Sequence, residues 1–497
     1  MTAIGKIPKT QPSGSTQART TAELAKFVID TPYAAIPAPI VHATKQMILD
    51  EIIVTAATFN TPMAQALVRL KADQGGNPEA TLMVDGRKLP ATAVAYVHAQ
   101  LANLLDADET MLNRMHTVSA SVFAGLSMAE KTGASGKDLI AAIATGYDIT
   151  ARVGMSLVQY VPDEKGNLIF APLFGWSWMT FGATATAGRL IGLKAPKLAE
   201  AFGQAFVTTP VYFDVLKNNA RMTSGDRRAS WHKYQMSGAM AEVGINAAVL
   251  VSHGWVAQED LLDEGNEFWR SFAAVGCDWD AMYNDLGQHW YIGDCAIKPY
   301  PFCRYGHAGL DIFTRIVTTE KLKPEDIDDI LLGIPPHELS ETLASTMTID
   351  EGLKLMVSSP SALALVAMGV PPGPKWFNAD FKDERLRSIA RKVRYEVKKE
   401  WSPLLMEQMK KDGIFRRFPA EVTVRTKSGT VFHGHADYAL GDPWDPASVM
   451  SDERLALKAH QFLDGILPAK KIDALITAVN TLESAPDVRA IAQAMTA

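Results

Sequence analysis

Residues 135–153 read SGKDLIAAIATGYDITARV, and this stretch decides the class of the fold. Ser135 can cap a helix and Asp138 stands three positions on to answer it, the pairing that satisfies exposed amides at a helix start. Leu139, Ile140, Ile143, Tyr147 and Ile149 follow at helical spacing. Outward from it the same period continues. Ile40, Val41, Met47, Ile48 and Ile52 share one helical face with Thr44 as its only polar member. Ala183–Leu193, Lys197–Phe206 and Ser237–His253 are Ala/Gly-rich helices, whose small side chains suit a central buried helix packed on all sides. The one extended excursion expected before Cys295 is Thr81–Val84, closed by an Asp85-Gly86 turn.

After Cys295 the texture changes. Ile330–Ile334, Val393–Val397 and Glu421–Val424 are apolar or alternating at strand length. Lys427-Ser428-Gly429 turns the last into Thr430–His435, a hairpin by its turn chemistry. Beyond Asp442-Pro443 the chain is helical again, with Leu455, Ala459, Phe462 and Ile466 on one face. The expected fold is mainly α: a large all-helical domain of residues 21–294 together with 437–497, and a smaller α/β (α+β) lid of residues 295–436. Residues 1–20, broken by Gly5, Pro8, Pro12 and Gly14, read as a flexible N-terminal tail.

The chain has 497 residues with 49 Lys+Arg against 55 Asp+Glu, a net charge of −6 that argues against a general nucleic-acid binder. Its 47% apolar content is ordinary for a globular protein and excludes a disordered or collagenous chain. Cys277, Cys295 and Cys303 are odd in number and never spaced as CxxC, so neither a disulfide framework nor a zinc ribbon is expected. Such thiols fit a reducing compartment, and with no export signal the expected location is cytoplasmic, with no membrane partner. GxGxxG after a strand, a Walker loop, GxSxG and HExxH are all missing, so nothing requires a nucleotide or a metal.

Four clusters carry possible chemistry. Asp106-Ala107-Asp108-Glu109-Thr110, followed by His116, sets three carboxylates beside an imidazole; alone it reads as readily as a solvated or capping face. Arg221, Arg227, Arg228, His232 and Lys233 suggest an anion site in an acidic protein, or equally a solvated loop. Lys298-Pro-Tyr-Pro-Phe-Cys-Arg304-Tyr-Gly-His307 mixes cationic donors with prolines that pin the backbone. His433-Gly434-His435 reads as strand surface, since no third metal ligand is evident.

Taken together in this order and spacing, these motifs resemble the MmgE/PrpD family, over about Leu24 to Leu482. Leu49-Asp50, Asp106-x-Asp-x-Thr110 with His116, Gly188-Arg-Leu-Ile-Gly192, Lys233 with Gly238, Gly244-Ile-x-Ala-Ala and Lys298-Pro-Tyr-Pro through His307 carry the resemblance. So do the Pro419-to-Gly429 hairpin and the helix start Ser451-Asp-Glu-Arg. The family includes 2-methylcitrate dehydratase, cis-aconitate decarboxylase and iminodisuccinate epimerase. It implies a metal-independent, cofactor-free enzyme, usually a homodimer, acting on a small carboxylic acid. Carried over residue by residue, its active site maps onto Asp106, Thr110, His116, Lys233 and Lys298.

Two departures stand out. A family histidine before the Ala-rich helix is missing, with Trp176, Ser177 and Trp178 nearby, and a family tyrosine gives way to Ser359-Pro360-Ser361. The resemblance therefore implies carboxylate chemistry with an altered substrate or reaction.

The chemistry so implied makes or protonates a carbanion next to a carboxylate, which requires fixed positive charge. His116, Asp106, Lys233 and Lys298 are the candidate catalytic residues, with His116 moving the proton. Thr110, Arg228, His232, Arg304 and His307 are the candidate substrate-binding residues. A dehydratase or decarboxylase of a di- or tricarboxylate is the leading expectation. An epimerase on the same site, and a non-catalytic carboxylate-binding protein, stay open.

Overall fold

The computed structural model describes residues 19–111, 115–158, 160–162, 168–170, 176–210, 237–347 and 349–496. It is mainly α with a small α/β part, as the periodicity predicts. Helices α1 (Thr21–Asp30), α2 (Ala38–Thr58), α3 (Pro62–Gln74), α4 (Ala91–Ala102), α5 (Val118–Thr132), α6 (Gly136–Ser156), α7 (Met179–Leu190), α8 (Ala195–Thr208) and α9 (Ser237–Ser252) make up the first part. Two short antiparallel pairs interrupt them: β1 (Ala80–Thr81) with β2 (Lys88–Leu89), and β3 (Tyr160–Pro162) with β4 (Leu168–Phe170).

α6 begins with the expected capping box: the Ser135 hydroxyl accepts from the Asp138 amide, and the Asp138 carboxylate accepts from the Ser135 amide. α7 is the central helix, packed against α5, α6, α8 and α9. Its closeness to them depends on glycine. A Cβ at Gly182 would lie 1.9 Å from Thr150 Oγ1 and 2.6 Å from Ser121 Oγ, and one at Gly244 would lie 2.6 Å from Ala183 Cβ. α2 is unusual in being buried on every side from Met47 to Thr58, two acids included.

The later part holds a four-stranded sheet in the order β6-β5-β7-β8. β5 (Ile327–Ile334) runs parallel to β6 (Val393–Val397) and antiparallel to β7 (Ala420–Thr426), which pairs antiparallel with β8 (Val431–Ala436). Gly429, at φ +88°, makes the β7–β8 turn. Helix α10 (His307–Thr319) packs on β7 and β8. His433 and His435 stand exposed on β8, beside Thr423 and Asp437 respectively. Helices α11 (Asp452–Leu463) and α12 (Ala469–Asn480) then return to pack against α2.

Three local expectations change, the first being that the β3–β4 pair adds a second extended excursion before Cys295. The strand expected at Thr81–Val84 stops at Thr81, because Val84 takes φ +63° and its amide turns to the Met495 carbonyl at 2.8 Å. Ile466 does not share the face of Leu455, Ala459 and Phe462: α11 ends at Leu463, Asp464 leaves the helical region, and Gly465 at φ +75° turns the chain. No helix among the described residues is long and apolar enough to cross a membrane.

Candidate functional site

The loop between α4 and α5 carries the acidic motif, and three distant segments hold it in place. Asp106 sits at φ +53°, in the left-handed region that aspartate enters more readily than most residues but still at a cost. Lys298 meets that cost directly. Its Nζ donates to the Asp106 carbonyl and to Asp106 Oδ1, each at 2.7 Å, and lies 3.7 Å from Asp108 Oδ1. Lys458, arriving on α11, donates to the next carbonyl, that of Ala107, at 2.8 Å and to the Asp50 carboxylate on α2. Two buried ammonium groups thus grip successive carbonyls of one turn.

Backbone pairing brings Lys298 to this position. Thr110 and Ala296 exchange two hydrogen bonds of 2.9 Å, and the Ile297 amide donates to the Gly441 carbonyl at 3.1 Å. A Cβ on Gly441 would lie 1.8 Å from the Ile297 carbonyl oxygen, so this crossing needs a glycine. Upstream, Arg152 on α6 pairs with Asp148 and donates to the carbonyls of Asn284 and His289, at 2.6 and 2.9 Å, pinning the chain that leads towards Lys298.

His116 closes the loop. Its Nδ1 lies 2.8 Å from the Glu109 carbonyl oxygen and 3.6 Å from Asp108 Oδ2. A carbonyl can only accept, so Nδ1 carries the proton in the neutral ring and Nε2 keeps its lone pair. The Trp176 ring packs edge-on at 5.3 Å. Asp108 is steadied by the Asn103 side-chain amide, which in turn accepts from the Ser237 hydroxyl at the start of α9. Thr110 donates its hydroxyl to the Met115 carbonyl at 3.0 Å.

The electrostatics follow from burial. Asp50, Glu51, Asp106, Asp108 and Glu109 are all within 2% of complete burial, against two buried ammonium groups, Lys298 and Lys458. Burial pushes Asp108 up, but Lys298 and then His116 outweigh it and hold the carboxyl below its ordinary value. Burial likewise works against the Lys298 ammonium, and the charges of Asp106 and Asp108 override it, so Lys298 is raised. Glu109 has no such cation: burial and the Asp108 charge push it up to about 8. Asp50 is raised by burial to about 6 despite Lys458, whose own value is lowered by burial.

Asp106, Asp108 and His116 present ligand atoms within 4.8 Å of one another, as do Glu51, Asp108 and Glu109. In the first set the Lys298 ammonium already sits against both aspartates, so a metal ion would have to compete with a resident charge. The second set has no histidine or thiol and is fully enclosed.

The MmgE/PrpD N-terminal domain matches residues 22–276, and the MmgE/PrpD C-terminal domain matches residues 300–484. The chain belongs to the MmgE/PrpD family. This family contains dehydratases and related enzymes, among them hydro-lyases such as 2-methylcitrate dehydratase.

Of the residues singled out in the sequence, the MmgE/PrpD fold brings Asp106, Thr110, His116 and Lys298 together. Arg304 and His307 stand beside one another, with 3.4 Å between Arg304 Nη1 and His307 Nδ1, and both are enclosed. Arg304 is held by Asp442 and by the carbonyls of Ala439 and Leu440. His307 donates from Nε2 to the Phe302 carbonyl at 2.8 Å, and burial, then Arg304, lower its pKa well below the usual imidazole value. Lys233, Arg228 and His232 lie outside the described residues, as does most of the N-terminal tail.

Sequence reasoning grouped Asp108 and Glu109 with Asp106 and His116 but gave them no role, and it passed over Glu51 and Lys458 as members of this cluster. A signal was available. Asp50 and Glu51 interrupt a run from Met47 to Ala57 that is otherwise nearly all apolar, where a charge has to be partnered.

Proposed function

We propose that this chain is a lyase of a small di- or tricarboxylate, removing or delivering a proton at the carbon next to a carboxylate. Dehydration is the leading reaction, with decarboxylation next to it. The observation that carries this reading is the setting of His116: Nδ1 is committed to a carbonyl, which leaves the lone pair of the neutral ring on Nε2, and the side chain is 14% exposed. The Lys298, Asp106 and Asp108 side chains are at most 2% exposed. Among these four, His116 is the group a substrate can meet.

This changes the part given to Lys298. Its ammonium lies in the wall, so it acts by balancing Asp106 and Asp108 and by holding the turn that carries them, and Asp108 stands 3.6 Å from the imidazole Nδ1. Charge for the substrate carboxylates is assigned to Lys233, with Arg228 and His232. Ser237, four positions after Lys233, reaches Asp108 through Asn103, which supports that assignment. We further propose a cytoplasmic homodimer whose helical domain spans residues 21–294 with 437–497 and whose lid spans residues 295–436.

The test is solvent-deuterium incorporation into a panel of di- and tricarboxylic acids, followed by product NMR. Incorporation with loss of water or carbon dioxide is expected from the wild type and not from His116→Ala. Exchange without net loss would reassign the chain to an epimerase. Ligand-induced thermal stabilisation with neither exchange nor turnover would make it a binding protein, and unchanged turnover in His116→Ala would remove the histidine from the chemistry.

A further inference from the structure

Behind the His116 loop stand two carboxyl groups that this reading leaves unused. Glu51 projects from α2 and Glu109 from the loop itself, both with 0% exposure, and their carboxylates bring oxygens within 4.8 Å of each other. Glu109 Oε1 is engaged, accepting the amides of Thr117 and Val118 at the start of α5. Its Oε2 and both oxygens of Glu51 meet no N–H donor among the described residues.

Among the described residues, each charged neighbour adds negative charge or is already committed. Asp50 on α2 and Asp108 in the loop add negative charge, while Tyr147 from α6 and Cys295 are neutral acids facing Glu109. Lys298 is spent on Asp106 and Asp108, and Lys458 on Asp50 and the Ala107 carbonyl. Two ionised carboxylates in a dry contact, with no cation between them, repel and lack donors. One proton converts the same contact into a charge-assisted O–H···O⁻ bond.

We propose that Glu51 and Glu109 share a single proton, and that this carboxyl pair is the positioning element that keeps His116 in its base tautomer. The route is short. Glu51 fixes the side chain of Glu109, the α5 amides fix its other oxygen, and the carbonyl of the same residue receives Nδ1–H of His116. Removing the shared proton sets Glu109 against both Glu51 and Asp108, and the displaced carbonyl then no longer selects the tautomer. The inference rests on His116 acting as the base. It implies an alkaline loss of activity that belongs to neither the substrate nor the imidazole.

Infrared spectra of the full-length protein, with and without isotope-labelled glutamate carboxyls, test the shared proton. At neutral pH a protonated-carboxyl C=O band that moves with the label is expected in the wild type and absent in Glu51→Gln and Glu109→Gln. A wild type without that band overturns the proposal, and no variant is required for that result. Nitrogen NMR of labelled histidine, assigned with His116→Asn, tests positioning. The Nδ1-protonated tautomer is expected in the wild type and in Glu51→Gln, whose amide still donates to Glu109, and is expected to give way in Glu51→Leu. An unchanged tautomer in folded Glu51→Leu overturns the role.

If Glu51→Leu does not fold, the wild type is titrated instead: loss of the glutamic-acid band and the change at His116 must share one midpoint, and separate midpoints overturn the proposal. Once a substrate is known, kcat should fall about tenfold or more in Glu51→Leu at unchanged KM and recover in Glu51→Gln. Neither spectroscopic signal needs turnover. A chain that shows both but processes no carboxylate keeps the positioning pair and loses only the lyase reading.

Discussion

Replacing Lys298 by methionine keeps most of the side-chain stem and removes only the buried charge. The ammonium makes two contacts of 2.7 Å to Asp106 and lies 3.7 Å from Asp108 Oδ1, with all three side chains essentially inaccessible. Deleting one partner of such a buried pair costs about 3–5 kcal/mol, because the remaining carboxylate loses the buried ammonium that balances it. The left-handed Asp106 turn also loses the donor on its carbonyl, so the upper part of that range is expected. At about 2.1 cal/mol/K per residue, 497 residues give an unfolding entropy near 1 kcal/mol/K, so 4 kcal/mol corresponds to about 4 °C in Tm.

Urea denaturation gives the free energy directly, and pH supplies a second axis. Without Lys298 the folded-state pKa values of Asp106 and Asp108 rise above their unfolded values. The variant then binds protons on folding, and its deficit grows as pH rises through the unfolded carboxylate range and shrinks on acidification. Adding Asp106→Asn should recover about 2 kcal/mol in a double-mutant cycle. A loss below about 1 kcal/mol for Lys298→Met, or no recovery from Asp106→Asn, would refute the account of Lys298 as the balancing charge.

Three further outcomes follow from other parts of the molecule. Lys458→Met should destabilise less than Lys298→Met, by about 2–3 kcal/mol in urea titrations, because Asp50, already raised to about 6, can take up a proton in place of its partner. Glu109 keeps its proton to about 8 when folded and releases it near 4.5 when unfolded, so it makes stability fall as pH rises between those values, by up to about 1.4 kcal/mol per unit. That contribution is fully present below 4.5, and Glu109→Gln should remove it from a pH series of urea midpoints. Gly182→Ala should cost about 3 kcal/mol or more, read as a lowered Tm, since the new methyl would overlap Thr150 and Ser121 across the α6–α7 and α5–α7 contacts.

Much of the fold was legible because its signals are local. The Ser135–Asp138 box, the stripe on α6 and the Lys427-Ser428-Gly429 turn are each decided within a few residues. The two misjudged ends were set by distant partners or a single dihedral: Val84 is drawn off by Met495, and Gly465 breaks a face that the period alone would continue to Ile466. The candidate site divides in the same way. Asp106, Thr110 and His116 belong to one loop, and Lys298 sits in a conspicuous segment. Glu51 and Lys458 become part of it only in three dimensions, 58 and 349 residues in sequence from Glu109. From sequence, a lone charge on a helix is most simply placed in water. Here α2 is enclosed, and its acids have to be answered from inside.

The reach of Lys458 into the Asp106 turn also bears on how the protein is made. The ammonium that completes this site leaves the ribosome 408 residues after Asp50, whose charge it answers. Until α11 has emerged, the amino-terminal helices carry more buried acid than they can balance, so they cannot settle into their final packing ahead of the rest of the chain. Assembly of the site therefore waits for α11, and truncations that remove α11 should give chains retained by chaperones rather than a smaller working enzyme.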